Sequence, residues 1–267
     1  MSRLNSAIRN IHRLDDLAAR DSFLTRLHPL AKLLATVAYL VATLSFTRHD
    51  LTGLLGMSLP LILLYQAEGL SISGCLRQFR PVILLLAAVG AANLLFAKEP
   101  AVQLGGFAVS GAWITFAVLL GKGVFCFLAV YLLMESTGIN GVCCALQQLH
   151  VPRVMVVTLL LIYRYLILLL QEGGRISTAY ALRAPGQNGI HYRAWGSLAG
   201  QLLLRSIDRA QNVYESMQLR GFSGTFTLNS KTAGGAGPSI CFAAAACVYC
   251  VVFRAVPVFE LLGRMFG

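Results

Sequence analysis

Two short segments of the sequence each place an arginine at the predicted end of a helix: Ala181-Leu182-Arg183-Ala184 and Gln218-Leu219-Arg220-Gly221. A guanidinium is a planar, two-pronged donor that binds carboxylates well, so each segment could dock into an acidic pocket of a partner. The same residues fit helix capping, since a cation in the last turn gains ~0.3–1 kcal/mol from the helix dipole. Both interpretations stay open: physical grounds alone favour capping, and the repetition within one region strengthens the case for docking.

Two further cations interrupt apolar segments. Lys122 follows Gly121 inside a long apolar run, where a lysine is costly and usually faces protein or water, unless it snorkels to the membrane surface. Arg164 lies between Tyr163 and Tyr165, which suits a helix with a wet or protein-packed face. For both residues the sequence leaves a structural and a functional role open.

Constellations for catalysis, nucleotide binding or metal binding are not evident. The histidines are scattered, with no two at ligand spacing: His12, His28, His49, His150 and His191. Cys247 and Cys250 have CxxC spacing but lie in an alanine-rich apolar run without a second ligand pair, which favours packing. Gly121-Lys122 is not followed by Ser or Thr, as a phosphate-binding loop requires. We therefore expect a non-enzymatic chain that itself binds no cofactor and no metal.

The composition indicates the broad class. Hydrophobic residues make up 57% of the chain, charged residues 12%, and the mean hydropathy is +0.68. These values predict an all-α, polytopic membrane protein in the lipid bilayer. The net charge of +11 fits the excess of Lys and Arg in cytoplasmic segments and does not require nucleic acid.

Five apolar segments are predicted to cross the membrane: Leu30–Phe46, Leu51–Tyr65, Val82–Ala97, Trp113–Met134 and Ser239–Val256. A sixth, Val154–Leu170, is ambiguous. The N-terminal segment and the segment after Leu170 are both arginine-rich, so both should be cytoplasmic. The number of crossings between these two cytoplasmic segments must be even. Because four spans already precede residue 135, Val154–Leu170 should not cross. We expect it to lie along the membrane or against other helices.

This topology divides the chain into three parts. Residues 1–134 form a cytoplasmic N-terminal segment and four spans, 135–238 a cytoplasmic module of long helices, and 239–267 the last span. In the module, one long helix should run from Arg153 towards Arg183, weakened at Gly173-Gly174, and a second from about Trp195 to Arg220. The run Thr232–Pro238 is predicted to be a flexible connector. The second helix carries an apolar stripe of Leu203, Ile207, Ala210, Val213, Tyr214 and Met217.

The ordered motifs of this module resemble a known family. They are Gly138-Ile139-Asn140, Leu149-His150-Val151-Pro152-Arg153, Tyr163-Arg164-Tyr165, Leu182-Arg183-Ala184 and Tyr214–Phe222, preceded by Leu27-His28-Pro29-Leu30-Ala31-Lys32. The series is similar to the transmembrane T components of energy-coupling factor (ECF) transporters, in particular the cobalt-transport class called CbiQ. The family commonly has Asp where this chain has His28, and a smaller residue where it has Leu182.

The resemblance implies a scaffold and coupling subunit of a modular ABC-type importer in the cell (inner) membrane. Two cytoplasmic ATPase subunits would bind the arginine motifs Leu182-Arg183-Ala184 and Leu219-Arg220-Gly221, and ATP and Mg²⁺ would be bound by those partners. A separate membrane subunit would capture Co²⁺ or Ni²⁺, and a small accessory membrane subunit is left open. The sequence does not separate cobalt from nickel.

Two other classes of function are weighed against this one. A stand-alone secondary transporter would be favoured if Lys122 or Arg164 faced a polar cavity at the membrane midplane. A membrane enzyme acting on lipids would need clustered carboxylates or histidines near the interface, and the eleven acidic residues are dispersed.

Overall fold

The structure, a computed structural model, describes residues 24–25, 27–47, 51–70, 72–96, 101–104, 107–184, 189–224 and 236–255. Helices dominate the part of the chain that it describes, which confirms the predicted all-α class. The helices are α1 Pro29–Ser45, α2 Leu51–Ala67, α3 Ile72–Gln78, α4 Arg80–Phe96, α5 Gly111–Gln148, α6 Arg153–Arg183, α7 Tyr192–Leu219 and α8 Ala236–Ala255.

Two elements were not predicted from the sequence. The short helix α3 follows α2, and the bent pair formed by Gly53–Ala67 and Ile72–Gln78 turns through 108°. Strands β1 (Ala101–Leu104) and β2 (Phe107–Ser110) form an antiparallel hairpin between α4 and α5. Its register pairs Ala101 with Ser110 and Leu104 with Phe107.

The described chain divides into two compact units. The first unit contains the described residues of Ala18–Gly138 and of Lys231–Gly267, and the second unit contains those of Ile139–Ser230. The change of unit falls within α5, at Gly138, whose backbone angles (φ 63°, ψ 170°) are not helical. The division into a cytoplasmic N-terminal segment with four spans (1–134), a cytoplasmic module (135–238) and a last span (239–267) stays a prediction.

Helix α1 begins at a histidine cap. His28 has an extended backbone, and its Nδ1 accepts a hydrogen bond from the backbone N–H of Leu30 at 3.3 Å. Pro29 occupies the first helical position, where its missing N–H costs nothing. His28 thus makes the contact that an Asp at the N-cap would make. Alanines and Tyr39 recur along the buried face of α1 at helical spacing: Ala31, Ala35, Tyr39 and Ala42.

Contacts at the two ends of α1 show the relative directions of α1, α8 and the first part of α5 in the first unit. The backbone N–H of His28 donates to Ser239 Oγ at 2.9 Å, and Arg254 Nε donates to Ser45 Oγ at 3.1 Å. Helices α1 and α8 are therefore parallel. Lys32 near the start of α1 contacts Ser136, whereas Lys122 contacts Phe46 just beyond its end. The first part of α5 is therefore antiparallel to both helices.

Tyrosine hydroxyls satisfy backbone carbonyls in the interior of the first unit. Pro60 lies inside α2 and has no N–H for the carbonyl of Gly56, four residues before it. The hydroxyl of Tyr249 donates to that carbonyl at 2.7 Å. Tyr39 similarly donates to the carbonyl of Met57 at 2.8 Å, and Tyr65 to that of Leu128 at 3.0 Å. These contacts tie α2 to α8, α1 and α5 without leaving a buried hydroxyl unpaired.

Three helices of the described chain are long and apolar enough to cross a membrane: Ala112–Gln148, Arg153–Arg183 and Gly237–Arg254. The bent pair of α2 and α3 would make a fourth, and Pro29–Ser45 and Arg80–Ala92 are shorter apolar helices. All five predicted spans thus coincide with apolar helices. The segment Val154–Leu170, which parity excluded as a span, lies in a helix that qualifies by length and composition.

The helix boundaries in and after the second unit differ slightly from those predicted from the sequence. Helix α6 continues without interruption through Gly173-Gly174, and α7 begins at Tyr192, before the expected Trp195. Helix α8 begins at Ala236, so the end of the predicted connector Thr232–Pro238 is helical, while its first residues lie outside the described chain.

Candidate functional site

The first arginine tip, Leu182-Arg183-Ala184, ends α6. Arg183 lies in the last turn and is exposed, and Ala184 follows as the C-cap, its N–H donating to the carbonyl of Tyr180 at 3.0 Å. The side chain of Leu182 is 78% exposed. Most of this leucine side chain is therefore not packed against the second unit.

The second arginine tip, Leu219-Arg220-Gly221, ends α7 in the way that the sequence predicted. Gly221 has a φ of 73°, a left-handed conformation that glycine adopts at little cost. The N–H of Gly221 donates to the carbonyl of Gln218 at 2.9 Å, and that of Phe222 to the carbonyl of Met217 at 3.0 Å. This pair of bonds is a Schellman motif, which already satisfies carbonyls of the last turn. Leu219 is 90% exposed and Arg220 is exposed.

The two guanidinium groups are not engaged in the described part of the chain. Within those residues neither Arg183 nor Arg220 has a side-chain hydrogen bond or a salt bridge. Their charges lie near the negative ends of the helix dipoles, but they do not bond the last carbonyls. Each tip therefore presents an exposed leucine beside an exposed cation, a combination suited to a partner groove with an apolar wall and a carboxylate.

A charge cluster joins α6 to α7 between the tips. Glu172 on α6 forms a salt bridge with Arg205 on α7, and its second oxygen lies 3.5 Å from Arg175 Nη1. Glu172 is the single acidic residue of α6. This feature of the sequence could have indicated that Glu172 pairs with an arginine of a neighbouring helix, but it was missed. The Arg205 side chain is 57% exposed, so water screens the salt bridge. We therefore expect the pair to determine where α6 and α7 touch and to add little to the free energy of unfolding.

Two clefts flank this contact point. One of ≈ 870 Å³ is lined by the Leu161–Glu172 part of α6 and by α7 from Arg205 to its end, with Arg220 at the rim. The other, of ≈ 410 Å³, is lined by the last turns of α6, including Arg183, and by the first half of α7. The helices are thus antiparallel and diverge in both directions from Glu172 and Arg205. This arrangement holds the arginine tips at opposite ends of the pair.

The second unit is strongly basic. Its described residues include eight arginines and only three acids, Glu172, Asp208 and Glu215. Arg164, singled out in the sequence, is exposed and lines the larger cleft together with Arg209 and Arg220. It does not lie in the first unit with Lys122.

The apolar stripe of α7 divides between two surroundings. Val213 and Met217 line the larger cleft towards α6, as an amphipathic helix would predict. Leu203, Ile207 and Tyr214 are instead 60%, 45% and 56% exposed. The periodicity identified one broad apolar face correctly, but only part of it is covered by α6.

Lys122 binds backbone carbonyls at the end of α1. Its ammonium donates to the carbonyl oxygens of Leu44 at 3.2 Å and Phe46 at 2.6 Å. Because the last carbonyls of a helix lack intrahelical partners, the lysine completes the C-terminus of α1 from the neighbouring helix α5.

Within the described residues no group of three or more His, Cys, Asp or Glu side chains is placed to hold a metal ion.

Comparison with known proteins agrees with these features. The family model of CbiQ, described as cobalt transport protein, matches residues 20–232. The cobalt transport protein CbiQ of Salmonella typhimurium is 28% identical over 153 residues, which cover 52% of this chain and 67% of that protein. The nickel permease LarQ of Lactiplantibacillus plantarum is 32% identical over 91 residues, 34% of this chain and 33% of that protein.

A third relative belongs to the same kind of component. The energy-coupling factor transporter transmembrane protein BioN of Rhizobium etli is 41% identical over 76 residues, 28% of this chain and 37% of that protein. The chain thus spans about a third of the lengths of LarQ and BioN. The family match covers both arginine tips and all helices from α1 to α7. The chain therefore belongs to the CbiQ cobalt transport protein family, the transmembrane components of ECF-type transporters.

Proposed function

We propose that this chain is the coupling subunit of an ATP-driven importer for cobalt or nickel ions, and that it binds two ABC ATPase subunits through its arginine tips. The observation that carries the proposal is the pair of exposed Leu-Arg tips at opposite ends of α6 and α7. Two tips at opposite ends of one antiparallel helix pair suit two ATPase subunits, one at each end. The relatives named for cobalt and nickel transport support the substrate class.

The mechanism is mechanical. When the ATPase pair closes on ATP, the two arginine tips move relative to each other, and α6 and α7 turn about the contact between Glu172 and Arg205. The exposed residues Leu203, Ile207 and Tyr214 of α7 then act on the membrane subunit that captures the metal, which reorients and releases it inward. The tips must bind the two ATPase states with different free energies, because a contact that is equal in both states transmits nothing.

Contacts within the first unit support an orientation of the chain in the membrane. The starts of α1 and α8 meet at His28 and Ser239, and Ser136 of α5 lies beside Lys32 at that same end. Between Ser136 and Ser239 the chain thus begins and ends on one side, so an even number of crossings lies between them. In that stretch α6 is the one described helix that qualifies as a span, and it cannot cross alone.

We therefore propose that the second unit lies wholly on the cytoplasmic side of the cell (inner) membrane, with the N-terminus. Arginine enrichment of the second unit supports that side. Single cysteines at positions 140, 190 and 230, introduced without the native cysteines, should resist an impermeant thiol reagent in intact cells and react after lysis. A cysteine placed after Gly267 should react in intact cells. Labelling of position 190 from outside would refute the assignment.

The alternative, a secondary transporter with its own substrate site, has a direct test. Lys122 is held by the carbonyls of Leu44 and Phe46, an arrangement that gives it a structural role. Calorimetry of the purified chain should show no stoichiometric, sub-micromolar binding of Co²⁺ or Ni²⁺, and the chain alone should hydrolyse no ATP. Tight one-to-one binding that survives replacement of the exposed histidines His150 and His191 would favour the secondary transporter.

A further inference from the structure

The break in α5 at Gly138 is held by a lysine from another helix. The angles of Gly138 (φ 63°, ψ 170°) lie in a region that is almost restricted to glycine. A helix that breaks leaves the carbonyls of its preceding turn without their regular partners. One of these, the carbonyl of Ser136, accepts a hydrogen bond from Lys32 Nζ of α1 at 2.8 Å.

Lys32 is an unusual residue for its position. It lies on the buried face of the apolar helix α1 and is only 5% exposed. A buried ammonium costs several kcal/mol unless it is paired and hydrogen-bonded. Here the carbonyl end of a helical segment, which carries partial negative charge, receives it, and the carboxylate of Glu68 acts on it electrostatically. Glu68 in turn accepts the N–H of Leu24 at 2.9 Å, which ties the start of the chain described before α1 to the same network.

The hydrogen bond from Lys32 to Ser136 lies where the chain passes from the first unit to the second, so it can do more than stabilise the fold. Gly138 is the last residue of the first unit before the chain enters the second unit, which carries the arginine tips. We propose that Lys32 is a positioning residue that fixes the direction in which α5 leaves the break, and that it is therefore required for ATP hydrolysis to be coupled to transport. The second half of this inference rests on the proposed function, and the first half does not.

Lys122 offers a matched comparison in the same unit. It too donates its ammonium to carbonyls at a helix end, those of Leu44 and Phe46, but it acts at the end of α1 and not at the break. If Lys32 only stabilised the fold, Lys32→Met and Lys122→Met would have the same kinds of effect. If Lys32 positions α5, only Lys32→Met changes the geometry on either side of Gly138.

The test measures that geometry in the isolated full-length chain. Spin labels at Val130 and Leu149, which are 39% and 42% exposed, flank the break, and double electron–electron resonance reports the distance distribution between them. We expect Lys32→Met to broaden and shift the distribution, Lys122→Met to leave it unchanged, and Lys32→Arg to restore it. A cavity of ≈ 90 Å³ beside Lys32 provides space for the larger guanidinium.

The coupling half is tested in the complex with its ATPases and capturing subunit. We expect Lys32→Met to reduce the metal ions transported per ATP hydrolysed by roughly tenfold, the loss expected when one charge-assisted hydrogen bond no longer biases the break. Subunit assembly should be unchanged. If Lys32→Met does not accumulate, Lys32→Gln, which keeps an N–H donor without the charge, replaces it in both measurements.

The outcomes separate the two halves of the inference. A distance distribution of wild-type width in the Lys32 variant overturns the positioning role, whatever the partners of the chain are. A broadened distribution with an unchanged ratio of transport to hydrolysis overturns the coupling role alone. A wild-type complex that transports no metal would count against the proposed function and leave the distance result standing.

Discussion

Reversing the charge of both arginine tips should abolish binding of the ATPase subunits. In the double variant Arg183→Glu, Arg220→Glu, each exposed guanidinium becomes a carboxylate, which would repel the acidic groove proposed on the ATPase. Loss of a buried charge-assisted contact at an interface costs about 2–5 kcal/mol, and each ~1.4 kcal/mol is a factor of ten in affinity. Each single variant should therefore weaken binding by at least about tenfold, and the double variant by at least about a hundredfold. Titration of the purified ATPase against the chain in detergent measures both.

Arg209 provides the matched control for these variants. It is an exposed arginine of the same helix, about three turns before Arg220, and it lies at neither tip. Arg209→Glu makes the same change in net charge, so it reports the long-range electrostatic effect alone, which we expect to be small and reduced by salt. Undiminished binding by the double tip variant would contradict docking and leave the arginines as helix-end charges.

Replacing Gly138 by alanine should nearly abolish transport without preventing folding of the separate helices. A non-glycine residue in the conformation of Gly138 costs about 1–3 kcal/mol, and alanine is the strongest helix former. Both effects favour continuation of α5 as one regular helix past Ser136. We expect a loss of metal uptake of at least about tenfold, consistent with that range of free energy. Uptake per correctly inserted molecule, with the Val130–Leu149 distance as a second readout, measures it.

Gly173→Ala is the control for a glycine replaced inside a helix. At Gly173 an added Cβ would meet no atom within 4 Å, and the helix α6 is regular there. This variant should keep or raise stability, by up to about 0.5–1 kcal/mol, because alanine favours the helix. Full uptake in the Gly138→Ala variant would show that the break is not needed for coupling.

The positions of most helices could be predicted because local signals determine them. Apolar runs located α1, α2, α4, α8 and the first part of α5, and Pro152 and Gly221 marked boundaries of α6 and α7 through backbone conformations that those residues favour. The hairpin β1–β2 was missed because each strand has only four residues. The short α3 has no apolar run of spanning length.

Contacts between helices could not be predicted from local sequence patterns. The sequence marked Lys122 as costly in an apolar helix, but only the fold shows that the C-terminal end of α1 supplies its acceptors. In the sequence, Lys32 is distinguished only by its place in a family motif, because nothing there indicates that Ser136 lies beside it. Periodicity likewise grouped Val213 with Tyr214 on one face of α7 but could not show which of them α6 covers.

The central claim, that the chain couples ATP hydrolysis by partners to metal entry, is tested most directly by uptake into proteoliposomes. The vesicles contain this chain with the ABC ATPases and the capturing subunit, and accumulation of radioactive Co²⁺ or Ni²⁺ is followed with and without ATP. The account predicts ATP-dependent accumulation that is lost when a catalytic residue of the ATPase is replaced, and lost equally with the Arg183→Glu, Arg220→Glu chain. Metal accumulation by vesicles that contain this chain alone would contradict it.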